Sequence, residues 1–439
     1  MIHWPAAALQ ALAGVTMSIA VVIAEPAEAV NIKEVTSPGG IKAWLVEDYT
    51  VPIVTMNFAF RGGASQETPD QSGLANFLSG MLDEGAGELD SRAFQQRLQE
   101  TNVNLSFDAG RDAFYGNMRT LQTNMDEAFE LTRLAITEPR FDEEPVGRIK
   151  GQIVSGLNRG QTDPQEIARR AFAESLFGDH PYGQFVEGSP ETVAAITSAD
   201  LKAFHARTLA RDNLYVAVVG AISAEQLADV LDDVFGGLPE KADLNPIQDI
   251  NPDAGKNEHV ELGIPQTIIR IGGAGLKRDD PDFIAAYVAN HILGGGTFSS
   301  RLYSEIREKR GLAYSVGTHL IPYDHSGAYL AAAATRADAA DEAISIMKSE
   351  IERYAAEGPS EDELRKAKAY LMGNYALRFD ASRKIARQLI GIQIDRLGID
   401  YIDKRNSLIE AVTLEDTKRA AKRLFGGPIS VVTVGSNTS

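Results

Sequence analysis

The chain carries one succession of hydrophobic patterns twice. In the first half, residues 42–48 and 51–60 read as paired strands. The second of these alternates only loosely through Ile53, Thr55, Asn57 and Ala59, so both of its faces are expected to be covered. Gly62 and Gly63 break the run. A helical period then sets in near Ser72 and continues through Leu74, Phe77, Leu78, Met81 and Leu82. A second helix is predicted over 91–100, strands over 102–107 and 113–119, and a long helix over 125–136. The second half follows the same order, with a strand at 266–272, helices at 281–293 and 300–310, strands at 313–320 and 327–334, and a helix at 339–356. Asp126-Glu127-Ala128-Phe129 and Asp341-Glu342-Ala343-Ile344 occupy equivalent places in the two halves. Between them, residues 239–258 are rich in Pro, Asp and Asn without periodicity and read as a linker. Strand hairpins and long helices within one unit predict an α+β class fold. Its two homologous domains, 30–238 and 259–439, are each a mixed sheet with helices packed on one face.

Composition agrees with two cores. The chain has 439 residues, 44% of them hydrophobic and 24% charged, and domains of roughly 200 residues are the expectation at that length. Asp plus Glu outnumber Lys plus Arg by 61 to 43, a net charge of −18. Such a surface repels phosphate backbones and anionic lipid, so nucleic acid is not an expected partner. The first 29 residues differ from the rest. An uncharged apolar run from Ala6 to Ala24 precedes Ala27-Glu28-Ala29, which resembles a secretory signal cut before Val30. The alternative is an uncleaved membrane anchor. There is no cysteine, so the mature chain needs no disulfide and has no thiol to misoxidise in the periplasm, the expected compartment.

The stretch Gly73-Leu74-Ala75-Asn76-Phe77-Leu78-Ser79-Gly80-Met81-Leu82 resembles the zinc helix of pitrilysin/insulinase-type peptidases, whose common form is G-x-A-H-F-L-E-H-M-L. In that family two imidazoles stand one turn apart on a helix, with a glutamate base between them. The resemblance puts Asn76 and Gly80 at the histidine positions and Ser79 at the glutamate position. The family's third ligand, a glutamate on another helix, falls at Gly156. All four positions are degenerate, because Asn and Ser are poor zinc ligands and glycine has no side chain. No metal is therefore expected in this chain. His319 and His325 are close in sequence but lack a carboxylate at helical spacing, and the histidines form no H-x-x-E-H or H-E-x-x-H. Read from this chain alone, 73–82 is an amphipathic helix kept for packing.

A second stretch, Leu293-Gly294-Gly295-Gly296-Thr297-Phe298-Ser299-Ser300-Arg301-Leu302-Tyr303, continues through Arg307 and Arg310-Gly311-Leu312-Ala313-Tyr314. Composition offers a helix with a basic end, stopped by Gly311, then a strand. The glycine triplet lacks the G-K-[ST] ending of a phosphate loop. By resemblance, family members carry an arginine and a tyrosine that match Arg307 and Tyr314, facing the zinc helix across a chamber. Tyrosine is a neutral donor suited to an oxyanion, and arginine a fixed cation suited to peptide carbonyls. Gly294, Gly295 and Gly296 have two readings. They let a helix turn tightly, or they form a mobile lip for substrate, as in the non-catalytic subunit of mitochondrial processing peptidases.

The resemblance covers about Val35 to Val434. It implies a non-catalytic subunit that pairs with a homologous, H-x-x-E-H-bearing partner. The partner would supply zinc and this chain Arg307 and Tyr314, for the hydrolysis of peptides. The rival reading is a peptide-binding or assembly scaffold with no part in hydrolysis. An unrelated independent enzyme using Ser or His chemistry finds no G-x-S-x-G and no triad spacing to support it.

Overall fold

A computed structural model describes residues 31–436. The predicted signal segment, 1–29, lies outside them. Two sheets organise the chain. The first contains β1 (Lys33–Thr36), β2 (Lys42–Glu47), β3 (Ile53–Arg61), β4 (Asn104–Ala109), β5 (Ala113–Leu121) and β6 (Leu214–Gly220), in the order β1-β2-β6-β3-β5-β4. The second contains β7 (Asn257–Glu261), β8 (Gln266–Ala274), β9 (Ala313–Pro322), β10 (Gly327–Arg336) and β11 (Ser430–Gly435), in the order β7-β11-β8-β10-β9. Leaving out β1, the two orders are the same. Each sheet has one parallel pair, β2 with β6 and β7 with β11, and is otherwise antiparallel. The repeat read from the sequence is thus a repeat of topology.

In each half, the helices of that half cover one face of its sheet. Val54, Met56, Phe58 and Phe60 of β3 point to that side in the first half, against Phe77, Leu78, Phe129 and Phe235 among others. The opposite faces are covered by exchange. The helix Ser382–Ile394 of the second half lays Ile385, Ala386, Leu389 and Ile390 on Trp44, Val46, Ala59, Ala217 and Val219 of the first sheet. In return, the helix Pro164–Phe177 of the first half sets Ala171, Phe172 and Leu176 against Ala328, Leu330 and Val432 of the second. This is why β3 alternates so loosely: Ala59 is buried on the exchanged side while its even-numbered neighbours are buried on the other.

A polar lock joins the halves beside these helices. Arg61, only 14% exposed at its side chain, forms an ion pair with Asp324 in the β9–β10 turn. It also donates to the Ile394 carbonyl and, at 3.2 Å, to the Tyr215 hydroxyl. From the same turn, the Asp324 N–H donates to Asp112 at 3.1 Å, and the His325 N–H donates to the Tyr182 hydroxyl at 3.0 Å.

Several boundaries differ from the periodicity. The helix expected through 72–82 is Leu74–Ser79, with Gly80 as its C-cap. The Ser79 hydroxyl donates back to the Asn76 carbonyl at 2.7 Å, a local bond that competes with helix continuation. Residues expected as linker up to 258 include the start of β7 at Asn257. The strand was illegible because it is an exposed edge, and its residues are accordingly polar. Helices expected over 281–293 and 300–310 are Phe283–Asn290 and Arg301–Tyr303, each continued by a wider helical turn, His291–Gly295 and Ser304–Glu308.

Candidate functional site

Arg307 and Tyr314 are brought together by the way the helical segment ends. Gly311 takes the left-handed conformation, φ 64°, which glycine adopts without the Cβ penalty. The N–H groups of Gly311 and Leu312 close on the carbonyls of Arg307 and Ile306, at 3.0 and 2.9 Å. The chain reverses there, and β9 starts two residues later, so Tyr314 comes back over the last helical turn. The Arg307 guanidinium donates to the Tyr314 main-chain carbonyl at 2.6 Å and lies 4.5 Å from the centre of its ring. It is also 5.3 Å from the ring of Tyr303, one turn earlier. A cation between two aromatic faces gains from both. Tyr303 is a contributor that sequence reading missed, although its position four residues before Arg307 was the available signal.

The segment carrying Arg307 is fixed at its start by Arg301. That guanidinium grips Glu363 with two bonds of 2.6 and 2.7 Å, donates to the Gly358 carbonyl and lies 4.8 Å from the Tyr354 ring. Burial alone would raise the Glu363 carboxyl. The bonds from Arg301 and from the backbone and hydroxyl of Ser360 outweigh it and bring the pKa down to about 2.

The glycine triplet has packing reasons for its composition. A Cβ on Gly294 would stand 2.7 Å from the Thr318 nitrogen, one on Gly295 2.8 Å from Asn290 Nδ2, and one on Gly296 2.8 Å from the His291 carbonyl oxygen. His291 is itself buried against Tyr370, with ring centres 5.1 Å apart, and burial lowers its pKa.

The degenerate positions lie in the first half. Asn76 and Ser79 are on the helix Leu74–Ser79 with Gly80 at its end, and Gly156 is on the helix Glu143–Gly160 that packs beside it. These residues do not fit zinc: the four positions offer no imidazole and no carboxylate. Among the described residues, no group of three or more His, Cys, Asp or Glu is placed to hold a metal ion. His325 instead meets Asp249 at 3.1 Å, next to the polar lock. The short helix is anchored by Glu67, whose two carboxyl oxygens accept from Gly73 and Ala75 N–H at 2.9 and 2.6 Å. Burial nevertheless pushes the Glu67 pKa up to about 8, against those two bonds and the charge of Arg111.

A cavity of about 1100 Å³ opens on the part of the first sheet that the exchanged helix leaves uncovered. Its floor is the polar face of β3, β5 and β4, where Asn117 donates to Asn57 at 2.5 Å, and Asn104, Ser106, Asp108 and Arg119 follow on the same side. Arg383, Arg387 and Gly391 of the exchanged helix form one wall. A second cavity of about 440 Å³ shares Arg387 and Gly391 and continues to Gly295, Thr318 and His319. Among the described residues, no hydrogen bond or ion pair links Arg307 or Tyr314 to the degenerate positions.

Comparison with known proteins identifies the family. Residues 43–189 match the family model for insulinase (peptidase family M16), and residues 195–371 the model described as the peptidase M16 inactive domain. The chain is 23% identical over 402 residues to an uncharacterized zinc protease of Rickettsia bellii, covering 89% of this chain and 94% of that one. It is 27% identical over 339 residues to the non-peptidase homolog YmxG of Helicobacter pylori, covering 76% and 77%. The crystal structure of a peptidase M16 inactive domain from Pseudomonas fluorescens superposes with a TM-score of 0.87 at 28% identity, over 93% of this chain and 99% of that one.

Proposed function

The chain belongs to the insulinase (M16) peptidase family as a non-catalytic member, and from that premise we propose that it is the accessory subunit of a heterodimeric zinc peptidase. A homologous partner bearing H-x-x-E-H would hold the metal, which supplies the activated water. This chain would contribute Arg307 and Tyr314 to the chamber between them, and peptides small or unfolded enough to enter would be hydrolysed. The carrying observation is the state of Tyr314. Its main-chain carbonyl is held by Arg307, yet the residue as a whole is 82% exposed. A fixed tyrosine whose hydroxyl is left to solvent is free to donate to a substrate carbonyl as negative charge develops on it. The remaining N–H groups of Arg307 are suited to holding further peptide carbonyls. The apolar run and Ala27-Glu28-Ala29 at the start of the sequence support the periplasm as the compartment of this reading.

A second reading, a peptide-binding or assembly scaffold, is favoured by the name of the Helicobacter relative and by the packing use Arg307 already has. Reconstitution separates the two. The isolated chain is expected to cleave nothing, and the chain mixed with a zinc-bearing homologue to form a complex that cleaves peptides. Complex formation, checked by size, without any dependence of turnover on Tyr314 would leave the scaffold reading standing.

A further inference from the structure

We propose that the cleft between the polar face of the first sheet and the helix Ser382–Ile394 binds acidic peptide segments, through Arg119, Arg383 and Arg387. The three side chains come from two elements and line one cavity of about 1100 Å³. All three are exposed. Among the described residues none of them meets a carboxylate, although Asp and Glu outnumber Lys and Arg by 61 to 43. In so acidic a chain most guanidinium groups are taken: Arg61, Arg133, Arg148, Arg169 and Arg301 are each ion-paired. The single carboxylate in the lining is Asp108.

The arrangement also works against the helix that carries it. Arg383 and Arg387 stand one turn apart, where like charges repel. Arg383 and Lys384 lie in the first turn, which holds no acidic residue and where positive charge opposes the helix dipole. Lys384 is relieved by Asp380 at 2.8 Å, but the two arginines are not. Local choices that oppose the fold without compensation are expected at functional sites. An incoming carboxylate would relieve the repulsion and gain charge-assisted hydrogen bonds. The neighbouring Asn57, Asn104 and Asn117 offer amide donors and acceptors for a peptide backbone. Because Arg387 also lines the second cavity, where it is joined by Arg378, the basic track continues toward Gly295 and β9.

This names a substrate class for the proposed chamber and rests on that reading only for the step from binding to hydrolysis. It is therefore tested by binding to the isolated full chain. Fluorescence anisotropy would be measured with a labelled peptide of alternating glutamates, its glutamine counterpart, and a single-stranded oligonucleotide of similar length. The glutamate peptide should bind at least about tenfold more tightly than the glutamine peptide, and added salt should weaken it. The triple variant R119Q/R383Q/R387Q should lose that preference while keeping the melting temperature. The triple lysine variant should retain most of it. Equal binding of the two peptides, an unchanged preference in the glutamine variant, no binding of either peptide, or tighter binding of the oligonucleotide would each overturn the proposal. Hydrolysis by the reconstituted complex is a separate readout, so either reading can fail alone.

Discussion

Arg307 holds Tyr314 by its own main chain: the guanidinium donates to the Tyr314 carbonyl at 2.6 Å and stacks 4.5 Å from its ring. The two residues are therefore one device, and their substitutions should not add. In the reconstituted complex, Tyr314→Phe should lower kcat by about 10²–10³, the usual cost of one oxyanion donor. Arg307→Ala should lower kcat as well, by releasing the tyrosine, and raise KM if the guanidinium also holds substrate. The double variant should be little worse than Arg307→Ala alone. Steady-state kinetics of the four proteins measure this, and fully additive losses would separate the two roles.

The Gly294 position tests the packing reading of the glycine triplet. A methyl group there meets the Thr318 backbone nitrogen at 2.7 Å, which a rotamer change cannot relieve. Gly294→Ala should cost about 1–3 kcal/mol, as overpacking does. A denaturant midpoint for the variant equal to that of the parent would instead mark the loop as free to move.

The inter-domain lock should matter to stability more than any surface pair. Arg61→Ala leaves the Ile394 carbonyl, the Tyr215 hydroxyl and Asp324 without their donor at the seam between the halves. About 2–3 kcal/mol is expected, read as a lower urea midpoint. A separate early transition of one half would show that the lock, more than the exchanged helices, couples the two.

The repeat was legible in the sequence because hydrophobic period survives in both halves, and the strands 113–119 and 327–334 and the helix 91–100 fall close to where the pattern puts them. The exchange of helices was not legible. Ile385, Leu389 and Ile390 show an amphipathic stripe, but nothing in a stripe says which sheet it covers. The pair of Arg307 and Tyr314 was found by resemblance, and what the residues alone supplied was the stop at Gly311. The arginines of the cleft were invisible for a related reason: Arg119 and Arg387 are far apart in sequence, and unpaired charge is a property of the folded surface.

Metal analysis bears on the degenerate helix. The isolated chain should carry no stoichiometric zinc, since Asn76, Ser79, Gly80 and Gly156 present no imidazole or carboxylate. At the two glycines the first atom of a side chain is accommodated: a Cβ on Gly156 comes no closer than 3.9 Å to Arg159, and one on Gly80 no closer than 3.4 Å to Ile149. The variant Asn76→His, Ser79→Glu, Gly80→His, Gly156→Glu should still bind zinc weakly and hydrolyse little. Its second histidine would sit at a helix end, and no outer-shell partners are provided to orient the ligands. Tight zinc and strong peptidase activity in that variant would show a chamber already complete within one chain.

The same helix gives a pH dependence whose sign is unusual for a carboxylate. Burial lifts the Glu67 pKa from 4.5 to about 8, despite the N–H groups of Ala75 and Gly73 that meet its oxygens. The folded state therefore holds this proton more tightly than the unfolded state does. The corresponding stability is fully present below about 4.5 and is lost as pH rises through about 8. Carboxylates held low by arginine, such as Glu363, act in the opposite sense and below that window. Thermal midpoints measured between pH 5 and 8.5 should fall toward the alkaline end, and Glu67→Gln, which cannot ionise, should flatten the profile. The variant sacrifices one of the two accepting oxygens, so its stability near pH 5 should drop below that of the parent while the difference narrows near pH 8. A parent profile that rises across this range, or a variant that follows the parent in parallel, would mean that the two N–H donors keep Glu67 ionised. The helix would then be capped by a charge.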